Sequence, residues 1–142
     1  MKFAQVSPQF WTDPVVAQWN DAQQKLALYL LTCPHRNLQG LYRLSIRYAA
    51  EDLGWSEQKT KRTLERLIED GFAEYDDDAK VVFLPRTLAY YMPKSEAQVK
   101  GAVAALATVP ATPLKRRFVE VAEQFEATAL LAALTNGRPS HE

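Results

Sequence analysis

A single cysteine, Cys33, stands in a chain of 142 residues, which excludes an intramolecular disulfide and any thiol-rich metal site. Histidine is nearly as scarce. Neither His35 nor His141 has a serine, cysteine or carboxylate at a spacing that suggests a triad or a metal centre. The five glycines are spread singly, so no phosphate-cradling loop is present. No apolar run approaches the roughly 20 residues needed to cross a bilayer, and the N-terminus has no basic segment leading into an apolar core of secretory type. There is no net charge of either sign, with 17 basic residues against 17 acidic ones, so no global basic field advertises nucleic acid. These absences predict a non-enzymatic protein without cofactor, metal or membrane partner, located in the cytoplasm.

What the chain has is apolar mass: 47% hydrophobic and 11% aromatic residues, enough to bury a core. Its charge is unevenly spread. Residues 1–50 carry five basic and two acidic groups, 51–92 carry six and ten, and 93–142 carry six and five. A DNA-facing surface must therefore be a local patch. Residues 3–10 alternate loosely around Pro8 and read as an extended arm or edge strand. Thr12 or Asp13 can cap a short helix beginning at Pro14, and Asn20 with Gln23 forms a capping-box pair before a helix over 22–32. That helix carries the stripe Leu26, Tyr29, Leu30 and Cys33 and is stopped by Pro34. Residues 40–42 suit a short strand.

The segment 41–85 carries the strongest pattern. A helix over 44–53 sets Ile46, Ala49, Ala50 and Leu53 on one side and ends at Gly54, which suits a left-handed position. Ser56 is the N-cap of a second helix that continues to Asp70 and is closed by Gly71. Strand-forming residues at 72–75 and 81–84 then flank the polar turn 76–80. Helix, tight turn, helix and hairpin in this order is the sequence form of a winged helix. The expected fold is α+β, mainly α, with a winged helix-turn-helix over 1–92. A helical extension over 93–134 serves oligomerisation or linkage, and a polar tail covers 135–142. Within the extension Ser95 and Gln98 open a helix to about Ala107, and Thr112-Pro113 starts another. Leu114, Phe118, Val121 and Phe125 form a narrow seam there, suited either to packing back on the domain or to pairing two chains.

Projected at about 100° per residue, the second helix of the pair turns Thr60, Leu64, Leu67 and Ile68 toward the core. Gln58, Lys59, Arg62 and Arg66 fall on the far side, with Glu65 and Glu69 beside them. Lys59, Arg62 and Arg66, with Lys61, can attract phosphates, and Gln58 or Arg62 can reach base edges in a major groove. The competing reading is a solvated face whose glutamates pair with its cations, since residues 56–70 hold four charges of each sign. Arg47 and Arg43, near the first helix, are further phosphate candidates, equally readable as solvated surface. The hairpin tip opposes DNA contact: Asp76, Asp77 and Asp78 repel phosphate, with Lys80 alone to offset them. The acidic triplet lacks the glycine and distal glutamate of a calcium loop. The aromatics Trp11, Trp19, Trp55, Tyr90 and Tyr91 are scattered among apolar neighbours and read as core packing, Trp55 wedging the inter-helix turn. Lys115-Arg116-Arg117 reads as a solvated basic run.

Several segments together resemble the N-terminal part of phage replisome organisers and related DnaD-like replication initiation proteins. They are Ser7-Pro8-Gln9-Phe10-Trp11-Thr12-Asp13, Lys25-Leu26-Ala27-Leu28-Tyr29-Leu30-Leu31-Thr32 and Asn37-Leu38-Gln39-Gly40-Leu41-Tyr42, then Leu64-Glu65-Arg66-Leu67-Ile68-Glu69-Asp70-Gly71 and Val81-Val82-Phe83-Leu84-Pro85. Val99-Lys100-Gly101 and Val109-Pro110 extend the likeness toward Phe125. The resemblance implies a winged-helix domain that binds DNA or self-associates while a replication complex assembles in a bacterial host cell, ahead of helicase loading. It also implies a helicase or its loader as partner, and a further C-terminal domain in longer relatives. It supplies no fixed set of base-reading residues. A transcriptional repressor with the same fold, or a protein-interaction module that has lost DNA binding, are the alternatives.

Overall fold

Side-chain caps start four of the helices. In the computed structural model, which describes residues 3–136, Asp13 accepts from the Val15 amide and opens α1 (Pro14–Ala17). Asn20 and Gln23 close a reciprocal capping box on α2 (Asp21–Thr32). Ser56 accepts from the Lys59 amide ahead of α4 (Glu57–Glu69), and Ser95 with Gln98 forms a second box ahead of α6 (Glu96–Ala107). Each such cap is worth about 1 kcal/mol. The intervening α3 (Ile46–Leu53) ends at Gly54, whose φ of 72° is the left-handed conformation that glycine adopts without strain. Further along lie α5 (Thr87–Tyr90), α7 (Leu114–Gln124) and α8 (Thr128–Asn136).

Three short strands, β1 (Leu41–Arg43), β2 (Glu74–Asp76) and β3 (Val81–Phe83), make one antiparallel sheet in the order β1-β3-β2. The fold is α+β and mainly helical, with the helix-turn-helix α3–α4 running into the β2–β3 hairpin. Register fixes what each face buries. Tyr42, Val82 and Tyr75 stand in one cross-strand row, Leu41 and Phe83 in the next. Because side chains alternate along a strand, Tyr42 and Val82 enter a core shared with α2, α3 and α4. Leu41, Val81 and Phe83 enter a second core with α5 to α8.

That second core corrects the expectation for residues 93–134. They cover the other face of the sheet and are neither a linker nor a free arm. Leu114, Phe118 and Val121 are buried there, with the Phe118 ring 5.9 Å from that of Phe83. Of the seam only Phe125, just past the end of α7, is exposed. Leu114, Phe118 and Val121 pack back on their own domain because β3 offers an apolar row at the spacing they need.

Other departures are local. Residues 3–10 form no strand: Ser7 caps the Gln9 amide, Pro8 takes the first position of a 3-10 turn (Pro8–Thr12), and the preceding residues are irregular. The helix expected from residue 44 starts at Ile46, since the Leu44 amide donates to Lys80 across the sheet edge. The strand expected from residue 72 starts at Glu74, because the Phe72 amide turns back to the Leu67 carbonyl to finish α4. Helix α8 had no forecast of its own; the tail assigned to 135–142 lies, beyond Asn136, outside the described residues, as does His141.

Candidate nucleic-acid interface

Helix α4 buries Thr60, Thr63, Leu64 and Leu67 and leaves Ile68 partly exposed. Thr63 therefore takes the core place expected of Ile68. The buried arc is centred between Thr60 and Leu67, and Ile68 lies about 80° from Thr60 along the helix projection, at the arc's rim. The Thr60 and Thr63 hydroxyls donate to the Ser56 and Lys59 carbonyls, which makes both threonines acceptable inside.

On the outer side Gln58, Lys59, Lys61, Arg62 and Arg66 are all exposed. Among the described residues none of these cations lies within 4.0 Å of a carboxylate; the ion pairs that do form there all involve Lys80, Arg86 or Arg117. The internal pairing that would have made α4 an inert solvated face is therefore absent from the structure. Lys59, Arg62 and Arg66 lie within about 60° of one another in the helix projection. The Lys59 ammonium sits 4.6 Å from the centre of the Trp55 ring, and Lys25 of α2 lies 5.6 Å from the same ring. Lys61 turns to the opposite flank. There an open groove between the starts of α3 and α4 and the hairpin turn is lined by Arg47, Gln58, Lys61 and Lys80, with Glu57 and Asp77 beside them.

The structure thus brings together four of the residues picked from the sequence and places Lys59 apart from them, with Arg62 and Arg66 between the two flanks. Lys80 adopts a left-handed conformation at φ 57° and lies 3.6 Å from Asp77, so its charge is partly answered. Arg43 stands on the sheet face turned toward the C-terminal helices, level with Val81, away from the groove. Two residues were not foreseen. Lys25 joins Trp55 only through the packing of α2 on α4, which leaves no local trace. Tyr48 is 59% exposed beside Arg47 on α3; projecting α3 as α4 was projected puts it opposite the buried stripe.

The acidic hairpin tip is partly occupied by the protein itself. Asp76 accepts the Thr112 hydroxyl at 2.6 Å and the Asp78 and Ala79 amides. The Thr112 bond, then those amides, hold its carboxyl below the usual range. Arg117 grips Glu74 through Nε and Nη2 and also reaches Glu120, which raises its own pKa; it is not the solvated charge expected. Asp77 and Asp78 remain outward.

Not all aromatics are core. Trp19 is buried and donates from Nε1 to Asp70 at 2.7 Å, whereas Trp11 and Tyr90 are 57% and 55% exposed. Trp11 lies on the outside of the 3-10 turn, in edge-to-face contact with Phe10. Cys33 is buried, its thiol donating to the Tyr42 hydroxyl. Among the described residues no three His, Cys, Asp or Glu side chains converge to hold a metal, and no helix is long and apolar enough to cross a membrane. Comparison with family models, characterised proteins and solved structures gives no match to this chain.

Proposed function

We propose that this chain is a non-enzymatic DNA-binding module, with α4 as the helix that enters the major groove. The observation that carries the reading is the run of exposed, unpaired cations on α4, joined at the groove by Arg47 and Lys80. Arg47, Lys61 and Lys80 supply phosphate attraction on one flank, Arg62 and Arg66 on the crest and far side, and Gln58 a donor and acceptor for a base edge. A role in replication initiation, upstream of helicase loading and with a helicase or loader as partner, is supported by the family resemblance of the segments between Ser7 and Pro110 alone. A repressor would use the same surface.

A second reading has its own observation. Asp77 and Glu57 line the same groove as the cations, a mixed-charge surface that also suits a protein partner. Fluorescence anisotropy with duplex, single-stranded and origin-containing DNA at two salt concentrations separates the two. DNA binding through three or more phosphates weakens with a log–log salt slope of roughly −3 or steeper. A duplex affinity that is unchanged in an Arg62→Ala/Arg66→Ala variant, or a flat salt dependence, excludes the groove model and leaves the protein-partner reading.

A further inference from the structure

Arg36, in the loop between α2 and β1, is only 3% exposed, yet among the described residues no carboxylate pairs with it. Its Nη1 donates to the Leu31 carbonyl at 2.6 Å, and its guanidinium lies 4.9 Å from the centre of the Tyr91 ring. Nε and Nη2 are buried, and no group among the described residues accepts from them. A buried cation with a bare donor edge is costly unless something answers it. The Thr87 hydroxyl, 4% exposed, is in the same position, buried without a partner. Arg36 and Thr87 line one small cavity of about 60 Å³, walled mainly by apolar and aromatic side chains such as Phe10, Val16 and Leu84. Arg36 also lines an open groove of about 610 Å³ between the Tyr90–Tyr91–Met92 segment and α6, along Gly101 and Ala105.

We propose that Arg36, with Thr87 on the small cavity behind it, anchors the carboxylate of a small organic acid, which enters as the Tyr91 ring covering the guanidinium moves aside and leaves its apolar body in the groove beside Tyr91 and α6. The Nε–H and Nη2–H edge of a guanidinium matches the two oxygens of a carboxylate, and the Thr87 hydroxyl is a third donor. The charge count favours a monoanion. Arg86, the other cation of the small cavity, is already paired with Asp13 at 2.8 Å, and the groove is lined by no acidic residue. The Asp13 carboxyl is held below its usual range by the Val15 amide and then by Arg86, so that pair is satisfied on its own. A phosphate would bring a second charge, and the one other cation lining these walls, Arg86, is already paired. This site is separate from the α3–α4 groove and does not depend on DNA binding.

The test is a titration of the folded full-length protein with benzoate, benzamide and inorganic phosphate, followed through the arginine Nε–H signals. The Arg36 signal is identified by its loss in Arg36→Met. Benzoate shifts that one signal saturably in the millimolar range typical of so small a ligand, while benzamide and phosphate leave it in place. Thr87→Val weakens the benzoate response by about tenfold. Thermal denaturation adds a check on Arg36→Met. If Arg36 serves as an anchor rather than a structural post, the variant without benzoate is as stable as the parent or more so, and loses the benzoate-induced rise in Tm. No saturable shift with benzoate, an equal shift with benzamide or phosphate, or a benzoate-induced rise that survives in Arg36→Met overturns the assignment. A short peptide ending in phenylalanine distinguishes a protein C-terminus from a free acid: binding tighter than benzoate transfers the site to a peptide carboxylate and sinks the small-molecule reading.

Discussion

At the scale of single residues, two glycines with nearly the same backbone angle have opposite surroundings. Gly40 has φ +69°, and a Cβ placed there would stand 2.3 Å from the Oγ1 of Thr87, itself buried and unable to withdraw. Gly54 has φ +72° with nothing within 4 Å of such a Cβ. Gly54→Ala therefore meets only left-handed strain and is expected to cost about 1 kcal/mol, whereas Gly40→Ala adds overlap and is expected to cost about 2–4 kcal/mol. Urea midpoints at unchanged m-value read the difference, and equal losses would deny the Thr87 contact. Residue-level signals of this kind were the most legible part of the sequence. Asn20 with Gln23, Ser56, Ser95 with Gln98 and Gly54 each do what local rules ask of them. Arg36 was not legible, since an arginine after Pro34 looks like any solvated loop charge until Tyr91, distant in sequence, closes over it.

At the scale of elements, α7 and the hairpin hold each other. Phe118 is 1% exposed against Phe83, so Phe118→Ala is expected to cost about 3–5 kcal/mol. Phe118→Asp should lose the cooperative folding transition seen by circular dichroism; a folded protein of reduced mass would instead restore the seam as a pairing surface. The Arg117–Glu74 pair is half open to solvent, and Arg117→Met is expected to cost only about 0.5–1 kcal/mol. The hairpin also carries a pH signature. Burial, then the neighbouring Asp77 and Asp76 carboxylates, push the Tyr75 hydroxyl up to about 12 from 10.0 while it donates to the Leu44 carbonyl. The folded state thus holds this proton more tightly than the unfolded chain. The resulting stability is complete below pH 10 and is lost as pH rises to 12. The stability gap between the parent and Tyr75→Phe should be constant below pH 10 and shrink across that window; a gap that widens there would mean the phenolate is the favoured folded form. Helix and strand identities were readable because each element carries its own period. The pairing of α7 with β3 was not, since a seam of Leu114, Phe118 and Val121 is the same whether its partner is another helix, a sheet or a second chain.

At the scale of the whole molecule, the sheet lies between two cores, and the α3–α4 side with the hairpin turn gathers Arg47, Lys61 and Lys80 at one groove. Sequence projection found those cations but not how they divide, because the division is made by Trp55 and Lys25 on one flank and by Arg47 and Lys80 on the other. The division gives the DNA-binding reading a sharper form than total charge allows. If duplex DNA lies across the groove, Arg47, Lys61 and Lys80 each face phosphate, and changing all three to Ala should make the log–log salt slope shallower by roughly 2 to 3, since each phosphate contact contributes about 0.9. Lys59→Ala removes one charge from α4, the helix that carries Lys61, but a charge held over Trp55 on the far flank. It should leave the slope within about 0.5 of the parent's while altering tryptophan emission. Net charge changes by three in the first variant and by one in the second, so the comparison is made per cation removed. If Lys59→Ala flattens the slope as much per charge as the triple change does, the DNA senses only the protein's overall field, and no face of α4 is the one that docks.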